Sequence, residues 1–489
     1  MQYKIVTNFK NNLLSLYPNF LNMRNKEQII LNNVKIESIA AEGNSIAHID
    51  GKVLFIPHCI PNDIVDVRII KKKKGYMEGK VINLVSPSPD RIKPFCPNYG
   101  ICGGCKWQPL PYSQQLEYKQ QQVIDQLVRI GKLELPEITP ILGSEKTKYY
   151  RNKLEFTFSN KRWILDNENA EELTDTQKLG LGFHISGFFD KVLDIQECHL
   201  QREPSNKIRN FIKQYAIDNN LTFFDLRSQV GFLRNIIIRT TTTNDVMLIV
   251  VFAYEDKENR ENLLNSIKDN FPEITSLQYV INEKRNDTIS DLNCVLYSGN
   301  DSIYEQMEDI SFKIGPKSFY QTNSEQAYRL YSVVRDFADL KGNEVVYDLY
   351  TGTGTIALFL SGRSKKVVGI EYVKEAIEDA KTNAENNKIT NCSFYAGDMK
   401  DMLTENFIKE NGTPDVIVLD PPRAGIHPDV AKVILDAAPE KIVYVSCNPA
   451  SQARDLAIFD SKYKIVKVQP VDMFPHTHHV ENVVKLIKK

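Results

Sequence analysis

Two stretches of the chain differ in how their hydrophobic residues are spaced. Between about residue 28 and residue 86, short apolar runs such as Val53–Pro57 and Asp63–Ile70 are separated by Gly, Pro and Asn turns. Such closely spaced runs are typical of a small antiparallel β-barrel. After about residue 325, apolar runs of strand length are mostly separated by segments of helix length. That alternation predicts a parallel sheet wrapped by helices.

The region between these stretches mixes both patterns. Within Tyr112–Gly131, apolar residues including Leu116, Ile124 and Leu127 recur at approximately helical spacing, and Gly131 is a stop signal. We therefore predict one amphipathic helix there. Residues 148–310 combine β-type runs with helix-like stretches, which predicts an α+β arrangement.

Composition and charge narrow the class of protein. A hydrophobic content of 42% and a charged content of 25% are ordinary for a folded globular chain, so disorder and fibres are excluded. The formal net charge of −1 gives no overall basic surface, so an RNA-binding face would need a local cluster of cations. Lys71, Lys72, Lys73 and Lys74 form such a cluster, although a solvated hairpin end explains this run equally well.

Membrane and export signals are not evident in the sequence. No window reaches the roughly 18 apolar residues of a membrane span, and the N-terminus lacks the pattern of a signal peptide. We therefore expect a cytoplasmic protein without a membrane partner. In that compartment the eight cysteines are expected to be reduced, and clustered ones are expected to be metal ligands or catalytic groups.

The residues that close the C-terminal strands are candidate ligand contacts, because ligands of parallel sheets lie at the carboxyl ends of the strands. These residues are Asp348, Glu371, Asp420 and Cys447.

A glycine pair follows the first of these strands, in the segment Asp348–Thr355. Gly352 and Gly354 allow a ligand to approach the backbone closely, and the following helix offers free N–H groups. Glu371, at the end of the next strand, is placed to accept hydrogen bonds from ribose hydroxyls. The pattern favours an adenosine-containing cofactor over a plain strand-to-helix turn. It does not separate NAD from S-adenosylmethionine.

Four segments together resemble one known family. They are, in chain order, Gly315–Asn323, Asp420–Gly425, Val445–Ser451 and Phe474–Val484. Their sequences, GPKSFYQTN, DPPRAG, VSCNPAS and FPHTHHVENVV, resemble the RNA uracil-5-methyltransferase family. The resemblance runs from about residue 28 to residue 487. It is closest to the branch that methylates 23S ribosomal RNA and carries a TRAM domain and an iron–sulfur cluster.

The resemblance implies an α/β fold class with several domains. We expect a C-terminal Rossmann-like class I methyltransferase domain, an N-terminal OB-like TRAM β-barrel, and an α+β central domain with the cluster. The chain is accordingly divided into an N-terminal extension at residues 1–25, the RNA-binding barrel at 26–88, the central domain with the cysteine cluster at 89–310, and the S-adenosylmethionine-dependent domain at 311–489.

Catalytic roles also follow from the resemblance. Cys447 would be the thiolate that adds to uracil C6, which makes C5 able to attack the sulfonium methyl of S-adenosylmethionine. Glu481 resembles the general base that removes the C5 proton, a step suited to a carboxylate of raised pKa. We expect Cys447 to be accessible and to have a depressed pKa. A buried, inert cysteine is the alternative.

Binding residues are assigned in the same way. Gln321, Tyr350, Glu371 and Asp420 match residues that line the cofactor site in the family. Thr355 stands where relatives often have Asn, and Asp398 follows a third strand; we add both to the cofactor set. For the substrate we expect Phe319 to stack on a base drawn out of the RNA, Asp420 to contact ligand groups, and Lys71 to Lys74 to contact phosphates.

A cysteine cluster lies after the barrel. Cys96, Cys102 and Cys105 have the spacing C-x5-C-x2-C, and Cys198 is a candidate fourth ligand. Four thiolates fit either zinc or a 4Fe–4S cluster, and the spacing does not decide between them. The resemblance implies the 4Fe–4S cluster, with a structural role in the central domain. Zinc at His476, His478 and His479 is rejected, because no H-E-x-x-H motif is present. The remaining thiols, Cys59, Cys294 and Cys392, are expected to be ordinary buried or half-buried groups.

The resemblance therefore implies an enzyme that makes 5-methyluridine in 23S ribosomal RNA. We separately expect the protein to be a monomer. One alternative is a tRNA uracil-5-methyltransferase acting in the T loop, since it would share the nucleophile, the base and the cofactor motifs. A non-catalytic RNA-binding ribosome-assembly factor and a nicotinamide-dependent oxidoreductase are the others.

Overall fold

The computed structural model describes residues 29–489, so the predicted extension at residues 1–25 lies outside the described residues. Contacts divide the chain into two compact units. The first comprises residues up to Ser38 together with Asn44–Pro89, and the second comprises Ile39–Gly43 and Asp90–Lys489. The domain boundaries drawn at residues 88 and 310 stay predictions. Among the described residues, no helix combines the length and the hydropathy that crossing a membrane requires.

The first unit is a six-stranded sheet around a small apolar core. Alternate residues of its strands, such as Val65 and Val67, are buried, which explains the period-2 pattern of the sequence. One pair of strands is parallel, so the expectation of a purely antiparallel barrel was wrong at that pair. The strands are β1 (Ile30–Lys35), β2 (Ser38–Ile39), β3 (Ser45–Ile49), β4 (Lys52–Ile56), β5 (Ile64–Lys72) and β6 (Tyr76–Ser86), in the order β1-β5-β6-β4-β3-β2. The parallel pair is β4 and β6. It arises because β5 lies between these two strands in the chain and pairs antiparallel with β6 instead of with β4.

The central region begins with α1 (Tyr112–Arg129), which confirms the predicted amphipathic helix. A seven-stranded sheet follows, and its central strands are buried along their whole length, in line with their continuous apolar sequence. The strands are β7 (Lys153–Ser159), β8 (Gly180–Ile185), β9 (Phe188–Asp194), β10 (Leu233–Thr240), β11 (Val246–Phe252), β12 (Ser276–Ile281) and β13 (Val295–Gly299), in the order β13-β12-β11-β10-β7-β8-β9. The helices α2 (Ser205–Asp218) and α3 (Lys257–Asn270), a 3-10 turn at Thr176–Lys178 and the hairpin β14 (Ile303–Met307) and β15 (Ile310–Ile314) complete the region.

The C-terminal region confirms the predicted α/β fold. Its sheet has the order β18-β17-β16-β19-β20-β22-β21, and the first five of these strands are parallel. Its strands are β16 (Val345–Leu349), β17 (Lys366–Glu371), β18 (Cys392–Ala396), β19 (Val416–Leu419), β20 (Lys441–Ser446), β21 (Tyr463–Val471) and β22 (Glu481–Lys488). Its helices are α4 (Ser324–Ala338), α5 (Thr355–Ser361), α6 (Lys374–Asn386), α7 (Met399–Met402), α8 (Glu405–Asn411), α9 (Pro428–Ala437) and α10 (Pro449–Phe459).

The last strand runs against the others, which the strand-and-helix alternation did not predict. β22 pairs antiparallel with both β20 and β21, and Asn482 lies opposite Ser446. The first residue of an antiparallel strand lies at the edge where its parallel neighbours end. The reversal of β22 therefore brings its first residue, Glu481, to the carboxyl edge of β20.

Candidate active site

The candidate site lies along one edge of the C-terminal sheet. β16, β19 and β20 are neighbours and parallel, so Asp348, Asp420 and Cys447 stand close to the same edge. Glu371 ends β17 on the other side of β16, and Glu481 joins the row through the reversed β22. The fold thus brings together side chains that are up to 133 positions apart in the sequence (481 − 348).

The carboxyl groups of this edge are held in an environment that disfavours their charge. Burial raises the pKa of Glu481 to about 8, and the nearby Asp420 carboxylate adds to the effect while Arg423 opposes it. Burial likewise raises the pKa of Asp420 to about 7. The raised pKa of Glu481 agrees with the property expected of the base.

The thiol differs from the expectation. Cys447 is half-buried, and its pKa is raised to about 11. Loss of water is the largest cause, and the negative charges of Glu481 and Asp420 add to it, while Arg423 opposes them. The predicted depressed pKa was therefore wrong. Arg423, which we did not single out from the sequence, is the cation that favours the ionised form of both catalytic candidates.

The residues after Cys447 explain why Asn and Pro occupy those positions. Asn448 caps α10 by accepting a hydrogen bond from Ala450 N at 3.2 Å, and Pro449 is the first helical residue. The Asn448 side chain also donates to Arg423 O at 2.9 Å, and Ser451 Oγ donates to the same carbonyl at 3.0 Å. These hydrogen bonds connect the loop after Asp420 to the segment that follows Cys447.

A glycine loop follows β16 at the same edge of the sheet. Gly352 has a φ of +55°, and a Cβ at this position would have nothing within 4 Å, so its backbone faces open space. Gly352 N donates to Glu371 Oε2 at 3.2 Å, and Val373 N donates to Glu371 Oε1 at 3.0 Å. Tyr350 adopts a φ of +66°, which is unusual for an aromatic residue and typical of ligand sites. The geometry suits an adenosine-containing cofactor.

The loop Gly315–Gln321 lies against the glycine loop. Buried Arg239 donates to Ser318 O at 2.8 Å, and Thr353 Oγ1 donates to Phe319 O at 3.4 Å. Phe319 is 69% exposed although its backbone carbonyl is hydrogen-bonded, which suits a residue that meets an incoming base.

The remaining predicted cofactor contacts are placed as follows. Asn152 Nδ2 donates to Gln321 O at 2.9 Å and so fixes the backbone of Gln321. Thr355 is buried at the start of α5. Asp398 caps α7 after β18, and its charge adds to the raised pKa of Tyr350, which is caused mainly by burial.

The predicted phosphate contacts belong to the first unit. Lys71 and Lys72 end β5, while Lys73 and Lys74 form the turn before β6. All four lysines are exposed, and Lys71 Nζ bonds Glu78 Oε1 at 2.6 Å, so the charge of Lys71 is partly compensated.

Cys96, Cys102, Cys105 and Cys198 line a single cavity of about 220 Å³. In the described part of the chain, no three His, Cys, Asp or Glu side chains are close enough to hold one metal ion. Cysteine thiolates are ligands of both zinc and 4Fe–4S clusters, so the residues that line the cavity fit either group. Of the other thiols, Cys59 is buried and Cys294 and Cys392 are half-buried, as predicted.

The three histidines near the end of the chain are neutral at pH 7. Burial lowers the pKa of His476 to about 4, that of His478 to about 3 and that of His479 to about 4.

The pKa of Glu481 predicts how stability depends on pH. A folded pKa of about 8 means that the native state keeps a proton which the unfolded chain releases at about pH 4. Stability from this group is therefore lost as pH rises towards 8. Glu481→Gln mimics the protonated form at every pH, so its Tm minus that of the wild type should grow between about pH 5 and about pH 8.5. A difference that stays constant in thermal unfolding would contradict the raised pKa.

Comparison with known proteins supplies independent findings. The family model described as tRNA (Uracil-5-)-methyltransferase matches residues 240–489, and the TRAM domain model matches residues 32–82. A Bacteroides thetaiotaomicron protein described as an uncharacterized RNA methyltransferase is 59% identical over 451 residues, which cover 92% of this chain and 99% of its own. A protein of Porphyromonas gingivalis with the same description is 57% identical and covers 93% and 99%.

A solved structure is similar over almost the whole chain. It is the Pyrococcus abyssi tRNA (uracil-54, C5)-methyltransferase in complex with S-adenosyl-L-homocysteine. It has a TM-score of 0.73 and 27% identity, and the match covers 94% of this chain and 100% of that one.

Proposed function

The chain belongs to the tRNA (uracil-5-)-methyltransferase family and is an S-adenosylmethionine-dependent RNA methyltransferase; on this premise we propose that it methylates C5 of a uridine in 23S ribosomal RNA. One observation carries the proposal. The reversed strand β22 brings Glu481 to the end of β20, which Cys447 follows, and the charge of Glu481 acts on the Cys447 thiol. A nucleophile and a base on either side of one ring are what C5 chemistry requires.

The mechanism follows from the properties of these groups. The Cys447 sulfur bonds to C6 of the uracil, and the electron pair of the C5–C6 double bond moves towards the O4 carbonyl, so that C5 becomes nucleophilic. The Gly352 loop and Glu371 would hold S-adenosylmethionine, which would supply the electrophilic methyl group. Glu481 then takes the proton from C5, the C5–C6 double bond re-forms, and the sulfur leaves C6.

Protonation decides when these residues can act. The Cys447 thiol, with a pKa of about 11, must lose its proton before attack, and Glu481, with a pKa of about 8, must be ionised before it can accept one. Arg423 lowers the pKa of both groups and so favours the reactive anions.

We also propose that Cys96, Cys102, Cys105 and Cys198 hold a 4Fe–4S cluster. Support comes from the single cavity that the four thiols line. In this position the cluster would join the loop Cys96–Cys105 to the segment around Cys198 and stabilise the central region.

The proposed cluster can be tested by the metal content of the purified protein. Protein purified without oxygen should contain about four iron and about four sulfide per chain, and Cys198→Ser should lose most of both because one thiolate is missing. Cys59→Ser, which alters a buried thiol in the first unit, is the matched control and should keep them. Zinc in place of iron, or iron retained by Cys198→Ser, would contradict the assignment.

The choice of RNA rests on different evidence. The TRAM domain and the cysteine cluster resemble the 23S branch, and on that ground we propose ribosomal RNA as the substrate. We separately propose that the protein acts as a cytoplasmic monomer. Transfer RNA is the second candidate, favoured by the Pyrococcus abyssi tRNA methyltransferase that matches 94% of this chain.

Mass mapping of 5-methyluridine in ribosomal and transfer RNA, from cells with and without the gene, separates the two candidates. We expect one or more 23S positions to lose the methyl group. Loss confined to tRNA would replace the proposed substrate, and unchanged RNA would remove the proposed function.

A further inference from the structure

The segment between the last two strands reaches the residue just before the proposed base. We call this segment, Asp472–Val480, the strap. It joins β21 to β22, and most of its residues are buried. Its middle residue, His476, has a φ of +66°, a conformation that a residue with a side chain keeps only when its surroundings hold it.

Backbone groups at the end of the cysteine loop hold the middle of the strap. Lys106 N and Trp107 N, which follow Cys105, donate to His476 O at 2.8 Å and 3.1 Å. The Phe95 ring, which precedes Cys96, packs edge-on against His476 with centroids 5.1 Å apart. Tyr150 OH, which is buried, donates to Pro475 O at 3.0 Å.

Side chains of α1 hold the strap from a second direction. Gln115, fully buried, accepts from His476 N at 2.8 Å and donates to Leu110 O at 2.8 Å. Lys119 Nζ bonds Asp472 Oδ1 at 2.6 Å and Phe474 O at 3.1 Å, and both charged side chains are shielded from water. An ion pair buried in this way fixes geometry well, because breaking it would leave a bare charge in the interior.

We propose that Gln115, Lys119 and Tyr150 are positioning residues that set the place of the Glu481 carboxylate through the strap. The proposal rests on the proposed function. Glu481 is the first residue of β22 and lies opposite Val471, the last residue of β21. The strap joins these two residues, so the position of Glu481 depends on the conformation of the strap. Loosening the strap moves the base away from the C5 proton, and a misplacement of about 1 Å can cost about 100-fold in rate.

The affected step is the last one. Glu481 accepts the C5 proton, the C–H electron pair forms the C5–C6 double bond, and the electron pair of the C6–S bond returns to Cys447. Attack by Cys447 and methyl transfer come earlier and do not use the Glu481 carboxylate as a base. A displaced Glu481 therefore leaves a methylated RNA joined to Cys447.

The test compares Gln115→Met with Gln121→Met, an exposed glutamine on the same helix. Each protein is incubated with S-adenosylmethionine and RNA from cells that lack the gene, and two quantities are followed: free 5-methyluridine and methylated RNA that stays attached to the protein under denaturing conditions. We expect Gln115→Met to release product at least about 10-fold more slowly while the attached species accumulates. Gln121→Met should behave as the wild type.

Each outcome has one meaning. If attached RNA and free product fall in parallel, or if neither changes, the positioning role is refuted. If Gln115→Met does not fold, Tyr150→Phe replaces it in the same assay, because this substitution removes only the hydroxyl that bonds the strap. The same accumulation of attached RNA is then expected. A wild-type protein that makes no 5-methyluridine under these conditions would instead refute the proposed function itself.

Discussion

Cys447→Ser is expected to lower the rate of uridine methylation by on the order of 10⁴-fold. A serine hydroxyl is a much weaker nucleophile than a thiolate towards C6, and without that addition C5 does not attack the methyl group. The measurement is the initial rate of 5-methyluridine formation at saturating S-adenosylmethionine.

A matched substitution separates chemistry from folding. Cys294→Ser changes a half-buried thiol that the mechanism does not use, and it should keep the wild-type rate. Stabilisation by S-adenosyl-L-homocysteine in thermal unfolding should survive in both variants, because Cys447 follows β20 whereas the Gly352 loop follows β16. Methylation by Cys447→Ser at a tenth of the wild-type rate or more would contradict covalent catalysis.

Glu481→Gln is expected to separate the two halves of the reaction. The amide keeps the shape of the side chain but cannot accept the C5 proton, so turnover should fall by about 10²- to 10⁴-fold while methylated RNA accumulates on the protein. The measurement is the fraction of protein that migrates with RNA on a denaturing gel.

Glu440→Gln, on the exposed surface before β20, is the control and should turn over normally without accumulation. If Glu481→Gln released 5-methyluridine at the wild-type rate, another group would have to be the base.

The parts of the fold that follow from local patterns were predictable. Each parallel strand of the C-terminal sheet is an apolar run bounded by turn signals, and the helix Tyr112–Arg129 shows the 3.6-residue period. β21 and β22 were missed because no helix separates them and because the direction of β22 depends on its pairing with β20 and β21. The motif around Glu481 identified the residue, but only the antiparallel pairing explains its place beside Cys447.

Electrostatic properties were less predictable than positions. The raised pKa of the Cys447 thiol depends on Glu481 and Asp420, which are distant in sequence, and on loss of water on folding. Arg423 was visible within the DPPRAG segment, yet its effect on both pKa values appears only when β19, β20 and β22 are adjacent. The buried pair of Lys119 and Asp472 joins residues 353 positions apart and leaves no local signal.

The most direct test of the central claim uses RNA in which uridines are replaced by 5-fluorouridine. Fluorine cannot leave C5 as a cation, so the ring should remain bonded to the protein after the methyl group has been transferred. We expect mass spectrometry of the digested complex to find methylated fluorouridine on the peptide that contains Cys447. Attachment at another residue, or methylation of the RNA without any attached species, would contradict the account.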